Sequence, residues 1–303
     1  MRKEFVGTAE GVAIVEQFAK KFRADGIACV AESIALWLRH AKEQGARFPT
    51  LWLPKRDKVL KCLDKLNQIR AAEVADLDTL PTIVIPPPGE PLPEVPKGFF
   101  PLCVRPTAGG VEPPFKVKLV VDLGGIRKLI SRLNIFKMPL VAQPFRNLPN
   151  LVVHGARRPS GEVLGLKAFL VGRKFEGVTL TLDQFPLPEP LREGCVRFLH
   201  EMDLTGPFHF EFLWDSKRGK AYFLEINNRF GGTTAKVFAC GYEEPALALK
   251  AYGVHVDPGR GLERRTVSSK QALLKYMYYA LTDRLTPLDY PDEPKAKRVA
   301  KAL

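Results

Sequence analysis

The 303-residue chain lacks any uninterrupted apolar run of the roughly 18 residues that a membrane-spanning helix requires. No apolar core follows the opening Met1-Arg2-Lys3-Glu4-Phe5, so no secretory signal is read there. Cysteine is sparse. Cys29, Cys62, Cys103, Cys195 and Cys240 are odd in number, widely spaced and without a C-x-x-C pair. That pattern argues for reduced thiols in a cytoplasmic protein and against a zinc site. The chain has no G-x-x-x-x-G-K-S/T loop, no Ser-His-Asp set, no internal repeat and no low-complexity tract.

What is present is the composition of an ordinary globular protein, 46% hydrophobic and 26% charged, with length for two or three packed units. The net charge of +13 suits a protein that handles phosphorylated molecules. Its Lys and Arg residues are scattered and are not interleaved with stacking aromatics, so nucleic acid is not an expected partner. The densest cationic stretch, Lys295 to Lys301, reads as a solvated helix end or terminus.

Helical spacing of Val12, Val15, Phe18 and Phe22 predicts a first helix over 9–25, followed by a buried strand over 27–31 and a helix over 33–44. A further helix is expected over 57–72 and a proline-flanked strand within 80–86. From Phe99 the texture becomes α+β, with strands expected at 102–105, 117–121, 139–145, 151–154, 163–171 and 178–182. Helices are expected at 124–133, 191–202 and 234–252. The expected units are a short N-terminal α/β unit (1–55), a helical connection (56–96), and larger subdomains at 97–145 and 146–303.

The most informative stretch is Phe208 to Gly232. Phe208, Phe210, Phe212 and Trp214 alternate onto one strand face, which leaves His209, Glu211 and Leu213 on the other. The polar turn Asp215–Gly219 returns the chain along Ala221–Ile226, and hairpin pairing sets Glu211 nearly opposite Glu225. Two facing carboxylates repel unless a cation lies between them. Asn227 adds a neutral oxygen on the same side, completing a hard-oxygen set of the kind magnesium takes. In an arbitrary hairpin such residues would be a solvated outer face. Here the strand breaks into the polar loop Asn227-Asn228-Arg229-Phe230-Gly231-Gly232 and enters a helix, a junction that offers backbone N–H groups and Arg229 to an anion.

The segment Glu225-Ile-Asn-Asn-Arg-Phe-Gly-Gly232 resembles the signature of the ATP-grasp superfamily, closest to the ATP-grasp halves of carbamoyl-phosphate synthetase large subunits and to stand-alone carboxylate-amine ligases. The likeness runs from about residue 25 to 255. It includes Asp64-Lys65 before Leu80-Pro81-Thr82, the strand and phosphate loop Pro101 to Gly110, and the hinge Val141 to Phe145. The implied architecture is an α/β and α+β ATP-grasp fold with a shortened N-terminal α/β domain.

That resemblance implies Mg-ATP chemistry, with Mn²⁺ as the alternative ion. Glu211, Glu225 and Asn227 become the implied metal ligands. Arg105, Lys65, Gly109 and Gly110 would hold ATP phosphates, Val141, Ala142 and Gln143 would line the adenine slot, and Arg229 would meet phosphate or substrate. Arg105, Arg229 and Asn227 are the implied catalytic groups. Lys167 is placed near phosphate and substrate, ahead of Arg173 and Lys174. His154 and Cys240 are expected to be structural; His209 flanks Glu211 on the same strand face, and tuning of the metal site is the lesser of its readings. Pro144 stands where the family often carries a hinge glutamate. The implied activity joins a small-molecule carboxylate, activated as an acyl phosphate, to an amine. Phosphorylation or carboxylation on the same scaffold is the rival within catalysis. The alternative from another class is a nucleotide-binding regulatory subunit that depends on a partner. The shortened front also leaves room for a homodimer or partner subunit.

Overall fold

The structure, a computed structural model, describes residues 6–107, 115, 117–132, 138–175, 178–257, 266–268, 270–285 and 289. Gly109, Gly110 and the cationic stretch 295–301 lie outside them.

Three sheets organise the described residues. The N-terminal unit pairs β1 (Gly26–Ile27) and β2 (Thr50–Leu51) in parallel, flanked by α1 (Ala9–Lys21) and α2 (Glu32–Glu43). Ala35, Trp37, Leu38 and Ala41 are the buried stripe of α2 and join Phe48, Leu51 and Leu53 in a small core. The strand expected over 27–31 stops at Ile27, because β2 pairs with only two residues.

The helix expected over 57–72 is two helices, α3 (Arg56–Leu63) and α4 (Lys65–Val74). Asp64 separates them in an extended conformation and acts as N-cap of α4, its side chain accepting from Leu66 and Asn67 N–H. An Asp cap satisfies donors that an alanine leaves bare, so Asp64→Ala is expected to lower stability by about 0.5–2 kcal/mol in urea unfolding. The same cap fixes Lys65 as the first residue of α4.

A four-stranded antiparallel sheet follows, in the order β3 (Ile83–Ile85), β6 (Leu140–Pro144), β4 (Leu102–Pro106), β5 (Lys118–Val120). Its Ile85, Leu102, Val104, Val120, Leu140 and Ala142 face α5 (Leu123–Arg132) through Ile126 and form a second core.

The largest sheet has six antiparallel strands, in the order β11 (Lys220–Asn227), β10 (Gly206–Asp215), β7 (Asn150–Arg157), β8 (Val163–Phe175), β9 (Val178–Phe185), β12 (Thr266–Ser268). One face carries Leu151, Val153, Ala168, Phe208, Phe210, Phe212 and Phe223 against α4 and α6 (Glu189–Met202). The other carries Val152, Phe169, Val171 and Leu182 against Val237, Cys240 and Tyr242. The helix expected over 234–252 is interrupted: α7 (Thr234–Ala239) ends at Cys240, and α8 (Glu244–Ala251) restarts with Pro245 in its first turn. Gly241, at φ +86°, supplies the left-handed step between them. α9 (Lys270–Leu281) packs Tyr276 on Phe175 and Leu180. Among the described residues no helix is long and apolar enough to cross a membrane.

Candidate functional site

The facing pair expected from alternation is present. Glu211 of β10 is opposite Glu225 of β11, and Phe210 opposite Ile226. Next along, Phe212 pairs with Phe223, so Leu224 is an extra residue in β11. That bulge decides which way Glu225 points. Ala221 and Phe223 face the aromatic core, and strict alternation from them would send Glu225 inward too. One inserted residue reverses the parity and turns Glu225 and Asn227 to the side of Glu211.

The bulge also recruits a cation. Arg105 of β4 donates to the Leu224 carbonyl from both Nη1 and Nη2 at 3.4 Å. It reaches Gln143 Oε1 at 2.8 Å and lies 3.7 Å from Glu225 Oε2. Lys65, at the head of α4, donates to the same Glu225 oxygen at 2.5 Å. α4 is held in place by Gln68, whose side chain exchanges two hydrogen bonds with the backbone of Ile226: Nε2 donates to O at 3.1 Å, and the Ile226 N–H donates to Oε1 at 3.0 Å. The site therefore lies where the four-stranded and six-stranded sheets meet.

The electrostatics follow from this placement. Burial and the charge of Glu225 push the Glu211 carboxyl up to about 7. Burial alone would raise Glu225 as well, but Lys65 and Arg105 outweigh it and hold that carboxyl down at about 2. Asn227 donates to Glu225 Oε1 at 3.4 Å, and its Oδ1 accepts from Arg229 at 3.2 Å. His209 is 3.8 Å from Glu211 Oε1. Burial, then the neighbouring His154 and Arg229, depress its imidazole to about 3, so it is a neutral neighbour of the carboxylates. Gly231 fits over it because it has no Cβ, which would fall 2.7 Å from the His209 ring.

Several expected site residues are placed differently. Ala142 points into the core beneath the four-stranded sheet, and its backbone is paired with Ile83 on one side and Val104 on the other. Val141, on the Arg105 face, is likewise between strands and fully buried. β3 pairs with β6 only as far as Ala142, so a backbone clasp on adenine would start at Gln143. The Gln143 side chain is already taken up by Arg105 and by Thr82, to whose hydroxyl it donates at 2.9 Å. Lys167 stands opposite His154, two strands away from Glu211. The cations whose fields reach Glu211 are Lys174, Lys65 and Arg105. Lys174, the weaker candidate on β8, donates to Asn150 Oδ1 at 2.9 Å, and burial lowers its pKa. His154 is fully buried between Glu244 (2.8 Å) and Thr233 (3.0 Å), as befits a structural residue. Among the described residues no group of three or more His, Cys, Asp and Glu side chains is gathered for a metal. The oxygen set at the hairpin is two carboxylates and an amide.

The architecture is the ATP-grasp fold. No protein-family model matches the sequence, and no curated protein does. Solved structures do. An L-amino acid ligase from Bacillus licheniformis aligns at a TM-score of 0.60 and 18% identity, over 86% of this chain and 66% of its own. A biotin carboxylase from Campylobacter jejuni aligns at 0.64 and 15%, over 81% and 58%. An N5-carboxyaminoimidazole synthetase from Staphylococcus aureus, complexed with ADP, aligns at 0.59 and 14%, over 85% and 66%. The chain thus spans 58–66% of the length of these neighbours. They are a ligase, a carboxylase and a synthetase, the second in complex with an ATP analogue and the third with ADP.

Proposed function

We propose that the chain is a Mg-ATP-dependent ligase, one that converts a carboxylate to an acyl phosphate and condenses it with an amine. The observation that carries this reading is the opposition of Glu211 to Glu225 with Lys65 and Arg105 converging on Glu225. Two carboxylates turned toward each other, one pushed up by the other's charge, fit a cation between them. Glu211, Glu225 and Asn227 Oδ1 would hold Mg²⁺, and the all-oxygen set is the one that ion takes alongside phosphates. When bound, the metal neutralises charge that develops on the transferring phosphoryl group.

The remaining work falls to positioning by this chain's own side chains. Lys65 and Arg105 are the cations placed to receive phosphate oxygens, and Lys174 adds a third positive charge beside Glu211. A substrate carboxylate oxygen attacks the γ-phosphorus as the bond to the bridging oxygen breaks and ADP leaves. The amine nitrogen then attacks the acyl carbon, phosphate departs and the nitrogen gives up a proton.

The test is thermal unfolding with and without Mg-ATP. At a hundredfold excess over Kd the ligand is expected to stabilise the protein by about 2.7 kcal/mol. Phosphate release would then be measured across a panel of carboxylates and amines. Absence of any shift removes the ligase reading and leaves a partner-dependent nucleotide-binding subunit in its place.

A further inference from the structure

Arg229 makes an ion pair that the carboxylate pair does not explain. Its Nε lies 2.6 Å from Oε2 of Glu32, the first residue of α2, and the two side chains are only 25% and 17% exposed. The pair joins the N-terminal unit to the loop after β11. It also walls a cavity between them whose other lining is largely apolar, including Ala28, Leu53, Val59 and Leu249. With the pair closed the cavity measures about 20 Å³, too small for anything beyond a water. Asn228 lines the same cavity. Its amide donates to the carbonyls of Thr205 and Pro207, both at 2.9 Å, while its buried Oδ1 accepts from no group among the described residues.

We propose that Glu32 and Arg229 are the two halves of a recognition site for the zwitterionic head group of an amino acid. Arg229 takes the carboxylate, and Glu32 with Asn228 Oδ1 takes the ammonium. The proposal names a substrate class for the ligase reading and rests on it for what becomes of the carboxylate.

The physical argument is one of stranded charge. A plain carboxylate that captures Arg229 leaves the half-buried Glu32 without a counter-ion, and stranding a partly desolvated charge this way is unfavourable. A plain amine that captures Glu32 strands Arg229 equally. A zwitterion replaces one ion pair with two, and its ammonium supplies the donor that Asn228 Oδ1 lacks. The closed pair is therefore a filter that admits ligands carrying both signs and rejects those carrying one. Because Arg229 also donates to Asn227 Oδ1, the carboxylate so bound is delivered beside the oxygen set of the hairpin.

The experiment is calorimetric titration of the full chain, without nucleotide, with three ligands. They are L-leucine, 4-methylpentanoate (leucine without its amino group) and 3-methylbutylamine (leucine without its carboxylate). Leucine is expected to bind the wild type roughly a hundredfold more tightly than either half-ligand, as a site built around buried polar partners discriminates. Glu32→Gln is expected to narrow the leucine to 4-methylpentanoate ratio below about tenfold, because the charge that would be stranded is gone. Three results would overturn the proposal: 4-methylpentanoate matching leucine on the wild type, no binding of leucine, or an unchanged ratio in Glu32→Gln. The wild-type comparison stands even where that variant fails to fold. With no nucleotide present, failure here leaves the Mg-ATP response intact, and failure of that response leaves the leucine titration to be read by itself.

Discussion

Glu225→Ala is expected to abolish the magnesium-dependent part of ATP stabilisation while retaining nucleotide binding in the absence of metal. Glu225 is the oxygen donor on which Lys65 and Arg105 converge, and its removal does two things at once. The proposed metal site loses one of its two carboxylates, so Mg-ATP should give up the magnesium-dependent share of the stabilisation of about 2.7 kcal/mol expected at a hundredfold excess. The two cations lose their carboxylate partner and become available to ATP phosphates directly. Scanning unfolding with ATP plus magnesium, and with ATP plus EDTA, separates the effects: the variant should respond equally to both, the wild type far more to the first. Loss of binding in both conditions would mean that Glu225 only holds the fold together. Acid should imitate the variant. Glu211 keeps its proton up to about pH 7 because of burial and the charge of Glu225, and a metal needs it deprotonated. The magnesium-dependent shift of the wild type should therefore be larger at pH 8 than at pH 6.

The largest loss of stability is expected from Phe210→Ala, about 3–5 kcal/mol in urea unfolding, the range for deleting a buried phenyl ring. Phe210 is fully buried. Its ring packs edge-on to Phe198 at 5.2 Å, Phe208 at 5.6 Å and Phe223 at 6.4 Å, and stacks on Phe212 at 5.8 Å. Four aromatic partners drawn from β10, β11 and α6 cannot all close on one cavity, so little of the loss is recovered by relaxation. Against the 5–15 kcal/mol of a typical domain the loss is large. A change below about 1 kcal/mol would show that this layer is loosely packed.

The ATP-grasp fold was legible in the signature after Glu225, because that motif is contiguous. The facing of Glu211 and Glu225 was legible because Phe208, Phe210 and Phe212 mark the inner face of β10 by themselves. The Leu224 bulge was not, since nothing in Tyr222-Phe-Leu-Glu225 distinguishes an inserted residue from a regular strand. The break at Asp64 left a trace in the favourable cap chemistry of aspartate, yet the apolar period runs across it and reads as one helix. Ala142 was assigned to the adenine slot by position in a motif, and only the register with Ile83 and Val104 shows that it points into a core. Lys174 stood beside Lys167 as a weaker candidate, and the register shifts along β8 between Val171 and Lys174 accompany its arrival near Asn150 and Glu211. Glu32 and Gln68 are separated from their partners by 197 and 158 residues, and no local pattern carries such information.

The bonds of Gln68 to Ile226 have a bearing on behaviour in concentrated solution. β11 is the outermost strand of its sheet, and an uncovered outer strand is a template on which another chain can add. By presenting a donor and an acceptor to Ile226, the Gln68 amide acts as a one-residue strand that ends the sheet at that point. The Phe223 N–H is also taken, donating to the carbonyl of Asp78. The helix that sets Lys65 beside Glu225 is thus also the stopper on this edge. The proposed chemistry and the capping of this edge rest on one docking event, and a variant that loosens α4 is expected to weaken both together.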